Sequence, residues 1–236
     1  MKRIFLGLLC LCAWGVGAQN QRQINNNDLK YLEDQFYLGL TYNFLLDKPT
    51  NFNQRNLSYG LQGGLIRDIP LNSARTFAIG LGLGYAINSY YSNMLAAKTS
   101  DGIAYELISG NSILVDGEEI RVKRNKIETQ LVELPIEFRW RNSTPQEYKF
   151  WRVYSGIKLG YAFSSRSKLV TDVDKTSFTN PDIRKFQYGL TFNFGYNTFN
   201  VHIYYSLNGL FEDGIRVESE EIKLKPLQVG LIFYIL

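Results

Sequence analysis

The chain has 236 residues, of which 45% are hydrophobic, 14% aromatic and 20% charged, with a formal net charge of +4. That aromatic content excludes a disordered chain, and so high a charged fraction argues against a polytopic helical membrane protein. No Lys/Arg block points to nucleic acid, and one histidine with two cysteines leaves little material for a metal site.

Met1-Lys2-Arg3 is a short basic start, and Ile4 to Trp14 is an apolar run. Val16-Gly17-Ala18 then supplies the small residues at −3 and −1 of a signal-peptidase site, with Gln19 as the first mature residue. Residues 1–18 therefore read as a signal peptide. A membrane anchor would need a longer apolar run to cross about 30 Å of hydrocarbon as a helix. Cys10 and Cys12 both lie in this run, neither with the small residue before it that a lipoprotein signal wants. The mature chain then has no disulfide and no thiol chemistry.

Residues 19–34 are a polar arm, placed in the periplasm, and 35–236 read as an outer-membrane β-barrel domain built of eight segments with period-two alternation. The first puts Phe36, Leu38, Leu40, Tyr42 and Phe44 on one face, and the second Leu57, Tyr59, Leu61 and Leu65. The third alternates Phe77, Ile79, Leu81, Leu83, Tyr85 and Ile87 with glycine, alanine and asparagine. In the fourth, Val132, Leu134, Ile136, Phe138 and Trp140 oppose Leu131, Glu133, Pro135, Glu137 and Arg139. The fifth sets Trp151, Val153, Ile157, Leu159, Tyr161 and Phe163 against Arg152, Tyr154, Gly156, Lys158, Gly160 and Ala162. The sixth runs from Phe186 to Gly195, the seventh from Phe199 to Asn208, and the eighth from Leu227 to Ile235 in the same manner.

Such strands fit a soluble barrel with its apolar face inward, as in lipocalins, or an outer-membrane barrel with that face in lipid. Volume separates the two. Eight strands enclose only a filled core, too narrow for so many large apolar side chains. The opposite face is glycine, alanine, serine and short amides, which suit a crowded interior. The expectation is an all-β, eight-stranded antiparallel transmembrane up-and-down barrel, the one kind of sheet that leaves no unpaired backbone in lipid.

Connection lengths agree. Those at about 69–75, 141–149 and 196–198 are short, and those at about 46–56, 92–125, 165–184 and 210–223 are longer. Short periplasmic turns and longer extracellular loops place both termini in the periplasm. Trp140, Trp151, Phe77 and Phe199 near the turns, and Tyr42, Phe44, Tyr91 and Phe163 near the loops, suit interface girdles. Gln228 to Ile235 carries the spacing read by the outer-membrane insertion machinery, so that machinery is an expected partner together with outer-membrane lipid and lipopolysaccharide.

Inside, Glu133, Glu137 and Arg139 on the fourth segment and Arg152 and Lys158 on the fifth form a charge cluster. Pairing across the ladder would make it a salt-bridged plug; the alternative is an ion or proton path. His202, the sole histidine, faces inward, and Ser206 is four residues away, roughly 13 Å along a strand, too far for direct proton transfer. Neither the His-x-Ser pair of lipid A deacylases nor the loop histidine of lipid A palmitoyltransferases is present. No catalytic residue and no cofactor follows.

In the longest connection, Ile113-Leu114-Val115, Asp116-Gly117 and Ile120-Arg121-Val122 read as strand, turn, strand, so that the third and fourth strands extend beyond the membrane as a hairpin. Arg121, Lys123, Arg124 and Lys126 make its base basic, near the outer-leaflet headgroups. The loop from Ser165 to Arg184 shows no motif, and Pro135 should mark a bulge or a missing ladder bond.

The run Glu133-Leu134-Pro135-Ile136-Glu137-Phe138-Arg139, followed by a turn and by Tyr154, Gly156 and Gly160, resembles the E-x-P-x-x-x-(K/R) strand of PorT-like outer-membrane β-barrel proteins of the Bacteroidota. The Ala18-Gln19 cleavage site is similar to that of exported proteins of the same phylum. The resemblance implies a barrel with no enzymatic activity and, from the founding members, a part in type IX protein secretion with secretion-system proteins as partners. A small solute channel and an adhesive surface barrel are the rival readings.

Overall fold

A computed structural model describes residues 34–115, 117–142, 150–197 and 199–235. The signal peptide, the polar arm up to residue 33 and the turn at 143–149 lie outside the described residues. In chain order the strands are β1 (Asp34–Leu46), β2 (Tyr59–Pro70), β3 (Phe77–Tyr91), β4 (Met94–Thr99), β5 (Gly102–Leu107), β6 (Ser112–Val115) and β7 (Glu118–Arg141). There follow β8 (Trp151–Thr171), β9 (Lys175–Thr179), β10 (Phe186–Tyr196), β11 (Phe199–Ser206), β12 (Arg216–Val217), β13 (Glu220–Glu221) and β14 (Lys225–Ile235). No described residue is helical.

Eight of these strands close a ring in the order β1–β2–β3–β7–β8–β10–β11–β14 and back to β1. Every pairing is antiparallel, and the closing seam runs from Phe36 opposite Ile235 to Leu46 opposite Lys225. Burial alternates along each strand with the polarity reversed from a soluble protein. Phe36 is 60% exposed while Arg139 is fully covered. In β10, Phe186, Tyr188, Leu190, Phe192, Phe194 and Tyr196 face out and Gln187, Thr191 and Asn193 face in. Closure satisfies the backbone, and a continuous apolar belt on the outside requires hydrocarbon as the surrounding solvent.

Pro135 breaks a ladder without shifting the register. Leu81 pairs with Ile136 and Gly84 with Glu133, but the two intervening pairs on the β3 side are missing. Gly82 sits opposite, where a Cβ would stand 2.8 Å from the Pro135 ring, so glycine is required for the proline to fit between the strands. The bulges of the β7–β8 ladder lie elsewhere: Phe163 of β8 is the extra residue opposite Gln130 and Leu131, and Lys123 of β7 is the extra residue opposite Val170 and Thr171.

The long-loop end departs from the sequence expectation. Ile113 does pair with Ile120 in the β6–β7 hairpin. The strand that rises beyond the belt beside β7 is β8, however, because β3 ends at Tyr91. The segment from Ser165, expected to be a plain loop, continues β8 to Thr171 and returns as β9. A second hairpin, β4–β5, fills the start of the longest connection. These hairpins and loops enclose an apolar cluster that includes Leu45, Phe52, Tyr90, Met94, Tyr105, Ile127, Phe211 and Leu224. Tyr105 sets its ring edge-on to Phe211 at 5.4 Å and donates its hydroxyl to Asp182 at 2.9 Å. Leu45, Tyr90 and Ile127 are inward-facing ends of barrel strands, so the cluster roofs that end of the barrel.

Candidate functional site

The barrel interior carries the chemistry, and period-two alternation of eight narrow strands puts it there. At the short-turn end Arg139 donates from Nη1 to Asp68 Oδ1 at 2.6 Å and from Nε to Glu137 Oε2 at 3.0 Å. Arg141 donates to the other oxygen of Asp68 and, at 3.0 Å, to the Arg75 carbonyl. The Arg139 guanidinium also lies over the rings of Tyr154 at 4.2 Å and Tyr234 at 4.8 Å, which supply a further cation–π contribution away from water. Arg152 stacks on Phe150 at 4.5 Å, and its Nε and Nη1 have no hydrogen-bond partner among the described residues.

One layer further in, Asn193 donates from Nδ2 to Glu137 Oε1 at 3.0 Å and turns its Oδ1 to His202 Nδ1. That orientation fixes the His202 tautomer with the proton on Nδ1. Its Nε2 faces a cavity of about 10 Å³ lined by Tyr37, Gln62, Pro135, Glu137 and Lys158, room for a single water. Ser206 donates to the Asn208 carbonyl at 2.9 Å. A Glu–Asn–His relay thus exists, but it ends on a water-sized void with no substrate-sized space beside it.

Lys158 reaches Glu133 at 3.1 Å and Gln62 Oε1 at 2.9 Å and lies over the Tyr204 ring at 4.5 Å. Above it is an amide layer in which Asn43 and Gln228 both donate to Asn88 Oδ1 at 3.2 Å and Thr41 donates to Asn43 at 2.8 Å. Beyond this layer comes the apolar roof. Among the described residues, side chains thus fill the interior at the level of the ion pairs, of the amide layer and of the roof.

All five residues of the expected cluster, Glu133, Glu137, Arg139, Arg152 and Lys158, are buried in this interior. The expected ladder pairing accounts only for Glu133 with Lys158. Arg139 instead reaches past β3 to Asp68 on β2, and Arg152 has no carboxylate partner within ion-pair distance among the described residues. Asp68, Arg141, Gln62 and Asn193 belong to the network and were not legible as members. Among the described residues no group of His, Cys, Asp or Glu is arranged to hold a metal ion.

Comparison with known proteins places the barrel. The sequence profile of the outer membrane protein beta-barrel domain matches residues 17–212, most of the chain. The chain belongs to that family. Its location is therefore the outer membrane, in agreement with the lipid-facing belt. None of the curated proteins matches the chain. Among solved structures, two mutants of the Rhodopseudomonas blastica porin align at 9% and 10% identity over 86% of this chain and 98% of theirs, with a TM-score of 0.20. A triple mutant of the same porin gives 9% identity and the same score, too low to establish a common architecture.

Proposed function

We propose that this outer-membrane barrel is non-enzymatic and works through its surfaces rather than its lumen, as an accessory component of protein secretion of the type IX kind. Its long-loop end faces the cell exterior, and its short-turn end, with the first and last strands' outer ends, faces the periplasm. The observation that carries the surface reading is the filled interior: among the described residues, buried ion pairs, an amide layer and an apolar roof occupy it, and the cavity beside His202 has room for one water. Such an interior offers neither a conduit nor a pocket for a substrate.

The secretion part of the reading rests on the resemblance of the Glu133–Arg139 strand to PorT-like barrels. In this barrel that motif also has a packing logic, since Glu133 holds Lys158, Pro135 fits over Gly82, and Arg139 holds Asp68. Deletion of the gene tests it. Loss of secreted cargo from the medium with cargo retained in the periplasm is expected; unchanged secretion removes the role. The lipid A of the same strain should keep its acyl chains, and a changed acylation pattern by mass spectrometry would reinstate an enzyme.

A further inference from the structure

Beyond the apolar belt the outer face of the β7–β8 ribbon changes character within two residues. Tyr85, close to Phe163 with ring centres 6.0 Å apart, donates its hydroxyl to Gln130 at 3.1 Å and closes the belt. On the same face, in steps of about 7 Å along the strand, follow Glu128, Lys126 and Arg124, with Arg166 opposite Glu128 and Lys168 opposite Lys126. Glu128 is already engaged by Lys126 at 2.6 Å and Lys168 at 2.7 Å. Burial opposes its ionisation, but the hydrogen bonds from the two ammonium groups prevail and hold its carboxyl below the ordinary range.

Next to this stripe, Arg55, Arg121, Lys123 and Arg124 line a groove of about 420 Å³ between β7, the end of β3 and the loop at Ile108–Asn111. Arg55 is held toward the groove by donating to the Gly110 carbonyl and, at 2.7 Å, to Asn111 Oδ1. None of the four makes an ion pair with a described residue. Some cations elsewhere at this end are paired, as Lys225 with Asp47 at 3.0 Å and Arg184 with Asp213, while others such as Lys48, Lys98 and Lys175 stand singly rather than in a shared concavity. What sets this sector apart is that four such cations share one concavity, next to a stripe that continues the lipid-facing face of β7 and β8.

We infer that this groove and the stripe below it bind the phosphate groups of the outer-leaflet glycolipid, with the acyl chains lying on the adjoining belt. Several guanidinium groups facing one concavity suit tetrahedral phosphate oxygens through forked hydrogen bonds. A lipid source is favoured over a soluble anion because the cations begin where the belt ends, so a single molecule satisfies both surfaces. The inference rests on the long-loop end facing outward.

The test uses the full-length protein refolded in zwitterionic detergent, with rough lipopolysaccharide, intact or stripped of phosphate, and inorganic phosphate as probes. The groove variant combines Arg55→Gln, Arg121→Gln, Lys123→Gln and Arg124→Gln. The charge-matched control combines Lys48→Gln, Lys98→Gln, Lys175→Gln and Lys223→Gln. Heat-modifiable gel migration confirms that each is folded. Intact lipopolysaccharide should bind the wild type and the control alike and the groove variant at least about tenfold more weakly, as expected for loss of several charge-assisted contacts. Stripping the phosphates should weaken wild-type binding by a similar factor, a comparison that needs no variant. Equal binding to the groove variant and control, or indifference to the phosphates, would overturn the proposal. Inorganic phosphate binding as tightly as the lipid would make the groove a free-anion site instead. Orientation is tested separately: Lys123→Cys should react with an impermeant maleimide on intact cells, and failure there removes the orientation without touching the binding result.

Discussion

Replacing Asp68 by asparagine removes one of the two carboxylates at the short-turn end of the interior. The two oxygens of Asp68 receive Arg139 and Arg141, and the side chains of all three are covered to within 2%. After the change Arg139 keeps Glu137, while Arg141 loses its carboxylate and Arg152 still has none within ion-pair distance among the described residues. Breaking a buried pair by deleting one partner costs about 3–5 kcal/mol, since the remaining charge stays out of water. The asparagine oxygen still accepts one hydrogen bond and Arg139 keeps Glu137, so the lower end, about 3 kcal/mol, is expected. That is on the order of a hundredfold in the folding equilibrium. The exposed counterpart Asp34→Asn, which loses a pair with Arg67 at 3.7 Å, should cost less than about 1 kcal/mol. Reversible urea unfolding in lipid vesicles, followed by the fluorescence of the lipid-facing Trp140 and Trp151, measures both. Adding Arg141→Gln to Asp68→Asn should recover part of the loss. A cost for Asp68→Asn no larger than that for Asp34→Asn, or no recovery in the double variant, would refute the buried network as described.

Leu83→Arg places a charge on the belt at a side chain 61% exposed and should cost about 2–4 kcal/mol in vesicles if it lies near the midplane, whereas Leu114→Arg on the β6 hairpin should be close to neutral. Gly82→Ala sets a methyl 2.8 Å from both the Pro135 ring and the Leu65 carbonyl, and should destabilise the barrel by about 1–3 kcal/mol in the same unfolding assay. Because the Glu128 carboxyl is held low by Lys126 and Lys168, its contribution to the β7–β8 ribbon is fully present above the unfolded carboxylate value. It is lost as pH falls through the lower folded value. A spin label at Thr176→Cys should gain mobility as pH falls below the ordinary carboxylate range. Glu128→Gln should remove that dependence, and an unchanged profile would count against it.

The directions of the barrel strands were legible because small polar and large apolar residues alternate along most of their length, most cleanly in β10, where every apolar ring points outward. Asp68 escaped because the code fails just before it: Ile66 is apolar yet inward, and Arg67 is charged yet outward. Partners across the barrel are not encoded in ladder adjacency, which is why Arg139 with Asp68 was missed while Glu133 with Lys158 was within reach. The roof was invisible for another reason. Phe52, Met94, Tyr105, Phe211 and Leu224 come from separate connections with no period, and only their tertiary gathering makes them a core. The extension of β8 was hidden by the polar composition of Ser164 to Ser167, which reads as loop until Arg166 and Lys168 are seen to share the outer face with β7.

The sealed interior is tested most directly by electrical recording. Purified full-length protein inserted in planar bilayers should give no unitary current steps, since among the described residues buried side chains occupy the lumen from Asp68 to the apolar roof. Reproducible single-channel conductance from the folded wild type, abolished by Glu137→Ala, would contradict a barrel that works only through its surfaces.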